Sequence, residues 1–196
     1  LSVAGQNVFI ALVMTMVASL ILGCGLPTTA AYMVLATLAV PALIKLGVPL
    51  LSAHLFVMYF GCISTITPPV ALSAYAGAAL AGANPNKVGY TAFRFGIVAF
   101  IVPFMFVYDN ALLLQGTFFV ILRVIITSLL GVYLIAIGIQ GYFRKPCNWI
   151  QRILAFAAGI LMVNPTLVTD IIGIVCIAAF AVITIIRDKN LKEQPV

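Results

Sequence analysis

The chain has 196 residues, 64% hydrophobic and 7% charged, with a formal net charge of +6 and a mean hydropathy of +1.25. That composition excludes a soluble domain and describes an integral membrane protein. The basic residues stand singly or in pairs between apolar runs and form no stripe or block, so they fit the loops of a membrane protein and not a nucleic-acid surface.

The first residues, Leu1–Gln6, show no initiator methionine, basic n-region or small-residue cleavage site, and the expectation is a C-terminal portion of a longer protein. Val8–Leu22 and Ala30–Ile44 are apolar, shorter than the roughly 20 residues of a full crossing, and joined by Gly23-Cys24-Gly25-Leu26-Pro27-Thr28-Thr29 rather than by a charged loop. They predict a helical hairpin over about residues 3–45 that enters and leaves the membrane on one side; a full first span over Leu1–Leu22 is the alternative. After the turn Lys45–Pro49, Leu51–Phe60 and Val70–Ala83 flank a second interruption, Gly61-Cys62-Ile63-Ser64-Thr65-Ile66-Thr67-Pro68-Pro69, and read as the halves of one broken span. Further spans are predicted over Val88–Tyr108, Phe118–Gln140, Trp149–Val163 and Leu167–Ile186, the last two separated by a turn at Asn164-Pro165-Thr166. Tyr142–Arg152 reads as an interfacial connector. The predicted fold is an all-α, polytopic helical bundle. Residues 1–116 make a repeat of hairpin (3–45), broken helix (51–83) and following span (88–108), and residues 117–196 make C-terminal helices with a tail.

If Arg187, Lys189 and Lys192 are cytoplasmic, the predicted spans put Asp170 outside, Arg144, Lys145 and Arg152 inside, Asp109 outside, and Lys87 and Arg94 inside. The positive-inside rule is then satisfied throughout, and the hairpin tip reaches inward from the outer face. Arg94 and Arg123 lie within spans and are expected to snorkel to the nearer surface.

The two interruptions are the candidate site. Pro68 and Pro69 lack the N–H groups that would bond the carbonyls of Ser64 and Thr65, so free carbonyl oxygens are expected beside the hydroxyls of Ser64, Thr65 and Thr67. Neutral oxygens in unwound helices suit a weakly held hard cation, and sodium is the natural guest. At the hairpin tip one arm ends near Gly23 with unbonded carbonyls and the other begins near Pro27 with unbonded N–H groups, so Gly23, Gly25, Pro27, Thr28 and Thr29 can face a cation and a carboxylate. The competing reading makes both interruptions simple kinks, with Ser and Thr bonded back to their own helices. No carboxylate lies in either segment, which leaves a divalent-metal site or proton relay there without support. Tyr59 is a candidate substrate contact, though aromatic packing also accounts for it, and His54 lies near the outer end of the broken span, where it can titrate, with a hydrogen-bonded structural histidine as the plainer reading. The run Ala71–Ala83 reads as a packing surface. Cys24, Cys62, Cys147 and Cys176 form no CxxC pair and read as small buried thiols. No cluster of acid, base, nucleophile or metal ligands points to an enzyme.

Gly25-Leu26-Pro27-Thr28-Thr29-Ala30-Ala31-Tyr32, Ala53–Phe60, Thr65-Ile66-Thr67-Pro68-Pro69-Val70-Ala71-Leu72, Ala92–Gly96 and Val102–Tyr108 together resemble the large membrane subunit of tripartite ATP-independent periplasmic (TRAP) transporters, most closely the fused-permease branch that works with TAXI-type binding proteins. The resemblance covers Leu1 to Gly116 and extends to the later residues only in hydropathy. It implies an elevator-type secondary transporter of the bacterial or archaeal inner membrane with a cytoplasmic C-terminus. By the same resemblance, a periplasmic TAXI-type solute-binding protein is expected to deliver an organic anion, a sodium gradient to drive uptake, and a small membrane subunit to be fused in the full-length chain. This chain then holds the second inverted repeat. No further cofactor and no nucleic-acid partner is implied. On that plan the ion and substrate residues fall on Gly23, Gly25, Pro27, Thr28 and Thr29 and on Ser64, Thr65, Thr67, Pro68 and Pro69. Many relatives carry glycine after Pro-Pro-Val, where this chain has Ala71. A channel-like or structural subunit and a proton-coupled carrier are the alternatives.

Overall fold

The computed structural model describes residues 7–143, 145–163 and 167–192, without the side chains of residues 167, 168 and 185–192. Within these, α-helices are the main element, and the only ladder pairs Tyr142–Phe143 with Lys145–Pro146. The chain divides into two compact units, residues 1–113 and 114–196. Leu1–Gln6 and the expected turn Asn164–Thr166 lie outside the described residues.

In the first unit, α1 (Val8–Gly23) starts where Asn7 accepts the Ile10 N–H at 3.3 Å. A four-residue tip, Cys24–Pro27, leads to α2 (Thr28–Leu38), which runs on after a one-residue break at Ala39 into α3 (Val40–Lys45). Sixteen residues of α1 rise about 24 Å, short of the roughly 30 Å hydrocarbon core. The second arm, Thr28–Lys45, is long and apolar enough to cross, as are Pro85–Tyr108 and Phe118–Gln140. The broken span comprises α4 (Leu50–Ile63), a 3₁₀ turn at Ser64–Ile66 and α5 (Leu72–Leu80). Asn84 caps α6 (Pro85–Gly96) by accepting the Lys87 N–H at 3.2 Å, with Pro85 at the first turn, where its missing N–H costs nothing.

The span expected over Val88–Tyr108 is not one helix. A 3₁₀ stretch, Ile97–Phe100, separates α6 from α7 (Val102–Tyr108), and Pro103 at the start of α7 explains why α-helical bonding does not pass through.

Both arms of the hairpin pack against α4. Leu12, Leu35, Leu43, Phe56, Val57 and Phe60 are buried there, and Phe56 meets Phe60 and Phe104 edge to face at 4.9 and 5.3 Å. Lipid tails are as apolar as these side chains, so close packing holds membrane helices together more than the hydrophobic effect does. Tyr32 and His54 join α2 to α4 by a 2.9 Å bond between hydroxyl and Nδ1.

The second unit is built from α8 (Phe118–Gln140), α9 (Trp149–Val163) and α10 (Leu167–Lys192), with α9 packed on both others. Glycines let α8 and α9 touch: a Cβ on Gly159 would stand 2.7 Å from the Gly131 carbonyl, and one on Gly138 would stand 3.0 Å from the Arg152 carbonyl. Gly141, with φ +69°, ends α8 in the left-handed conformation glycine favours, and its N–H bonds the Ile137 carbonyl at 2.8 Å. Arg152 donates to the carbonyls of Gly138 and Ile139, both at 3.1 Å, and stacks on Trp149. The connector is therefore partly ladder and partly the first turn of α9. Arg123 does not simply snorkel outward: its guanidinium pairs with Asp170 of α10, 47 residues away, and Nε lies 3.0 Å from Oδ2.

Candidate functional site

The hairpin tip forms because α1 runs out of helical partners. The Cys24 N–H is shared between the carbonyls of Leu20 and Ile21 at 3.0 and 3.3 Å, and the chain then passes through exposed Gly25, Leu26 and Pro27. Pro27, extended at φ −54° and ψ 142°, precedes α2, and no side chain caps that helix. The first N–H groups of α2 are thus offered outward beside half-buried Thr28 and exposed Thr29, which is the polarity of an anion-facing helix start.

The break between α4 and α5 is built differently from expectation at one carbonyl. That of Ser64 is not free: tightening into a 3₁₀ turn lets it accept the Thr67 N–H at 3.1 Å. Thr65 has no such remedy, because residues 68 and 69, its partners in 3₁₀ and α bonding, are both proline. Ser64, Thr65 and Thr67 donate their hydroxyls to the carbonyls of Gly61, Cys62 and Ile63 at 2.7, 2.8 and 2.8 Å. Each hydroxyl proton therefore has a partner, while the oxygen keeps lone pairs able to accept. Ser64 and Thr67 are buried, Thr65 is half-buried and Pro69 is exposed. The Pro68–Pro69 bond is cis, and Ala71, which precedes α5, adopts φ 35° and ψ 49°.

The two interruptions meet. Gly23, the last residue of α1, is buried so closely against the break that a Cβ there would collide with the Ser64 hydroxyl oxygen, stand 2.9 Å from Ser64 Cβ and lie 3.3 Å from the Gly61 carbonyl. A glycine is the side chain this contact admits. Gly25 has open space around it, and among the described residues no hydrogen bond joins Thr28 or Thr29 to the break. Of the tip residues, Gly23 is thus the one seated against Ser64.

Tyr59 sits half-buried with edge-to-face ring contacts to Phe60 and Phe106 at 6.3 and 6.4 Å, a packing position. None of the four cysteines is the buried thiol expected: Cys62 is exposed, on the side of α4 turned away from buried Gly61 and Ser64, Cys24, Cys147 and Cys176 are half-buried, and all four are free. Among the described residues no cluster of His, Cys, Asp or Glu is arranged to hold a metal. The sequence reading did not single out Tyr75, whose hydroxyl donates to the Pro69 carbonyl at 2.9 Å, or Ser19, one turn before Gly23 and fully buried with its hydroxyl unpartnered. A tyrosine six residues after the Pro-Pro pair, in the first turn of the helix that follows it, was the available signal for the first.

No curated protein and no solved structure matches the chain. The family model described as tripartite ATP-independent periplasmic transporter, DctM component, matches residues 1–121, which span the hairpin, the broken helix and the following span. With that match over more than half of an all-α, multi-pass chain, the protein belongs to the DctM family of TRAP transporters, and is a membrane transport protein of a family that is not enzymatic.

Proposed function

We propose that this chain supplies one half of the ion and substrate site of a secondary transporter that imports an organic anion, a carboxylate, at the expense of a sodium gradient. The contact of Gly23 with Ser64 supports the reading most directly, since it brings the end of α1 at the hairpin tip against the neutral oxygens of the second interruption. In this reading Ser64, Thr65 and Thr67 face sodium, with the freed Thr65 carbonyl as a further donor. Thr28, Thr29 and the start of α2 face the carboxylate, Gly23, Gly25 and Pro27 shape the tip, and Pro68 and Pro69 keep the carbonyl free. Tyr59 supports the wall.

A periplasmic binding protein of the TAXI type delivers the anion, a fused small subunit completes the permease, and the hairpin unit moves as an elevator. Residues 1–116 serve as the transport repeat and 117–196 as accessory helices. The protein resides in the inner membrane with a cytoplasmic C-terminus, which the positive-inside pattern of the loops supports.

A second reading, a channel-like or structural subunit in which both breaks are kinks, draws on the three hydroxyl-to-carbonyl bonds of Ser64, Thr65 and Thr67, the pattern that bends membrane helices. Sodium titration of uptake separates the two. Thr28→Val and Ser64→Ala are expected to weaken sodium activation while the protein remains folded; unchanged sodium activation in both variants excludes the carrier assignment of these breaks.

A further inference from the structure

The break is held from the side of α6. Tyr75, the fourth residue of α5, turns back to donate its hydroxyl to the Pro69 carbonyl at 2.9 Å. Its ring lies on Gly89 of α6, where a Cβ would stand 2.8 Å from Cε1 and 3.6 Å from Cδ1. Seven residues later Gly96 receives Ile66 in the same manner, its Cβ position 2.8 Å from Cδ1. Seven residues are within about 20° of two full helical turns, so both glycines lie on one face of α6. That face seats the break at both ends, Ile66 before the prolines and Tyr75 after them.

Between these two points Ala71 is fully buried in the left-handed region, φ 35°, a conformation an L side chain keeps only where its surroundings enforce it. Its N–H bonds the Thr67 carbonyl at 3.2 Å, and its own carbonyl accepts the Tyr75 N–H at 2.9 Å. Thr67 is thereby linked through Ala71 to Tyr75, and Tyr75 returns to Pro69.

We infer that Tyr75 is a positioning residue: by fixing the Pro69 carbonyl and bearing on Gly89 it sets the course of Thr65–Ala71, and so the direction in which the oxygens of Thr65 and Thr67 point. It touches no ion. The functional consequence rests on the sodium reading given above, whereas the clamp itself does not.

The test uses the full-length transporter in nanodiscs and liposomes with Tyr75→Phe, which keeps the ring on Gly89 and removes only the hydroxyl, and with Gly89→Ala, which pushes the ring away. Hydrogen–deuterium exchange at the amides of Thr67, Ala71 and Tyr75, each bonded within the break, is expected to rise about three- to tenfold in Tyr75→Phe, the scale of one lost hydrogen bond. The sodium concentration for half-maximal uptake is expected to rise by a similar factor, with the maximal rate retained. Gly89→Ala is expected to change both readouts in the same direction. Wild-type exchange in Tyr75→Phe overturns the clamp, and a lowered maximal rate with unchanged sodium dependence overturns the positioning role. If wild-type uptake ignores sodium, the sodium reading fails, and the exchange rates still decide the clamp.

Discussion

Replacing Gly23 by alanine puts one methyl group where the Ser64 side chain already lies, with Ser64 Cβ 2.9 Å and the Gly61 carbonyl 3.3 Å from the new atom. Neither neighbour yields easily: Ser64 is fully buried with its hydroxyl bonded to Gly61, and Gly61 is helix backbone. Overpacking of this kind costs about 1–3 kcal/mol. If that strain is relieved by parting the hairpin tip from the break, every ligand held by both loses the same energy, or about five- to 150-fold in affinity. The assay is a sodium titration of uptake in liposomes, paired with thermal unfolding of the purified protein. Gly23→Ala is expected to lower the unfolding temperature and to raise half-saturating sodium within that range. Ser64→Gly in the same chain removes both colliding side-chain atoms and is expected to recover stability but not sodium dependence, with a coupling of about 0.5–3 kcal/mol. Wild-type behaviour of Gly23→Ala in both readouts, or no recovery on adding Ser64→Gly, would refute the close seating of the two interruptions.

Asp170→Asn leaves Arg123 without its charge partner among apolar helices; because the guanidinium is more than a third exposed, the loss is expected between the exposed and buried cases, about 1–3 kcal/mol by denaturant or thermal unfolding, and the double change to leucine is expected to recover most of it. At Ala71 the left-handed backbone predicts opposite tolerances. Ala71→Gly is expected to stay within about 1 kcal/mol of the parent because glycine adopts φ 35° freely, while Ala71→Val costs several times more; equal stability of the two would contradict the assigned conformation.

Features that depend on local composition were legible in the sequence. Phe118–Gln140 and Trp149–Val163 run between strong stop signals, and the observed helices share those bounds. Both Gly/Pro interruptions also stood out, because few residues other than glycine, proline and threonine break an apolar run. What depends on distant partners was not legible. Arg123 and Asp170 are separated by a whole helix, and nothing in either neighbourhood announces the pair. The closeness of Gly23 to Ser64 joins residues 41 positions apart, and the glycine that permits it looks, in sequence, like any other turn residue. The Ser64 carbonyl is not freed by the prolines, because α-helical bonding is not its one option: a 3₁₀ turn pairs it with the Thr67 N–H and leaves only Thr65 facing both prolines. The interruption at Ile97–Phe100 hides in a hydropathy profile that stays uniformly apolar across it.

Uptake of small organic acids, glutamate and 2-oxoglutarate among them, into liposomes bearing the full-length transporter, with and without an inward sodium gradient and the cognate binding protein, tests the central claim most directly. Uptake is expected only when both are present. Uptake indifferent to sodium would contradict that claim and make the meeting of Gly23 and Ser64 a matter of packing alone.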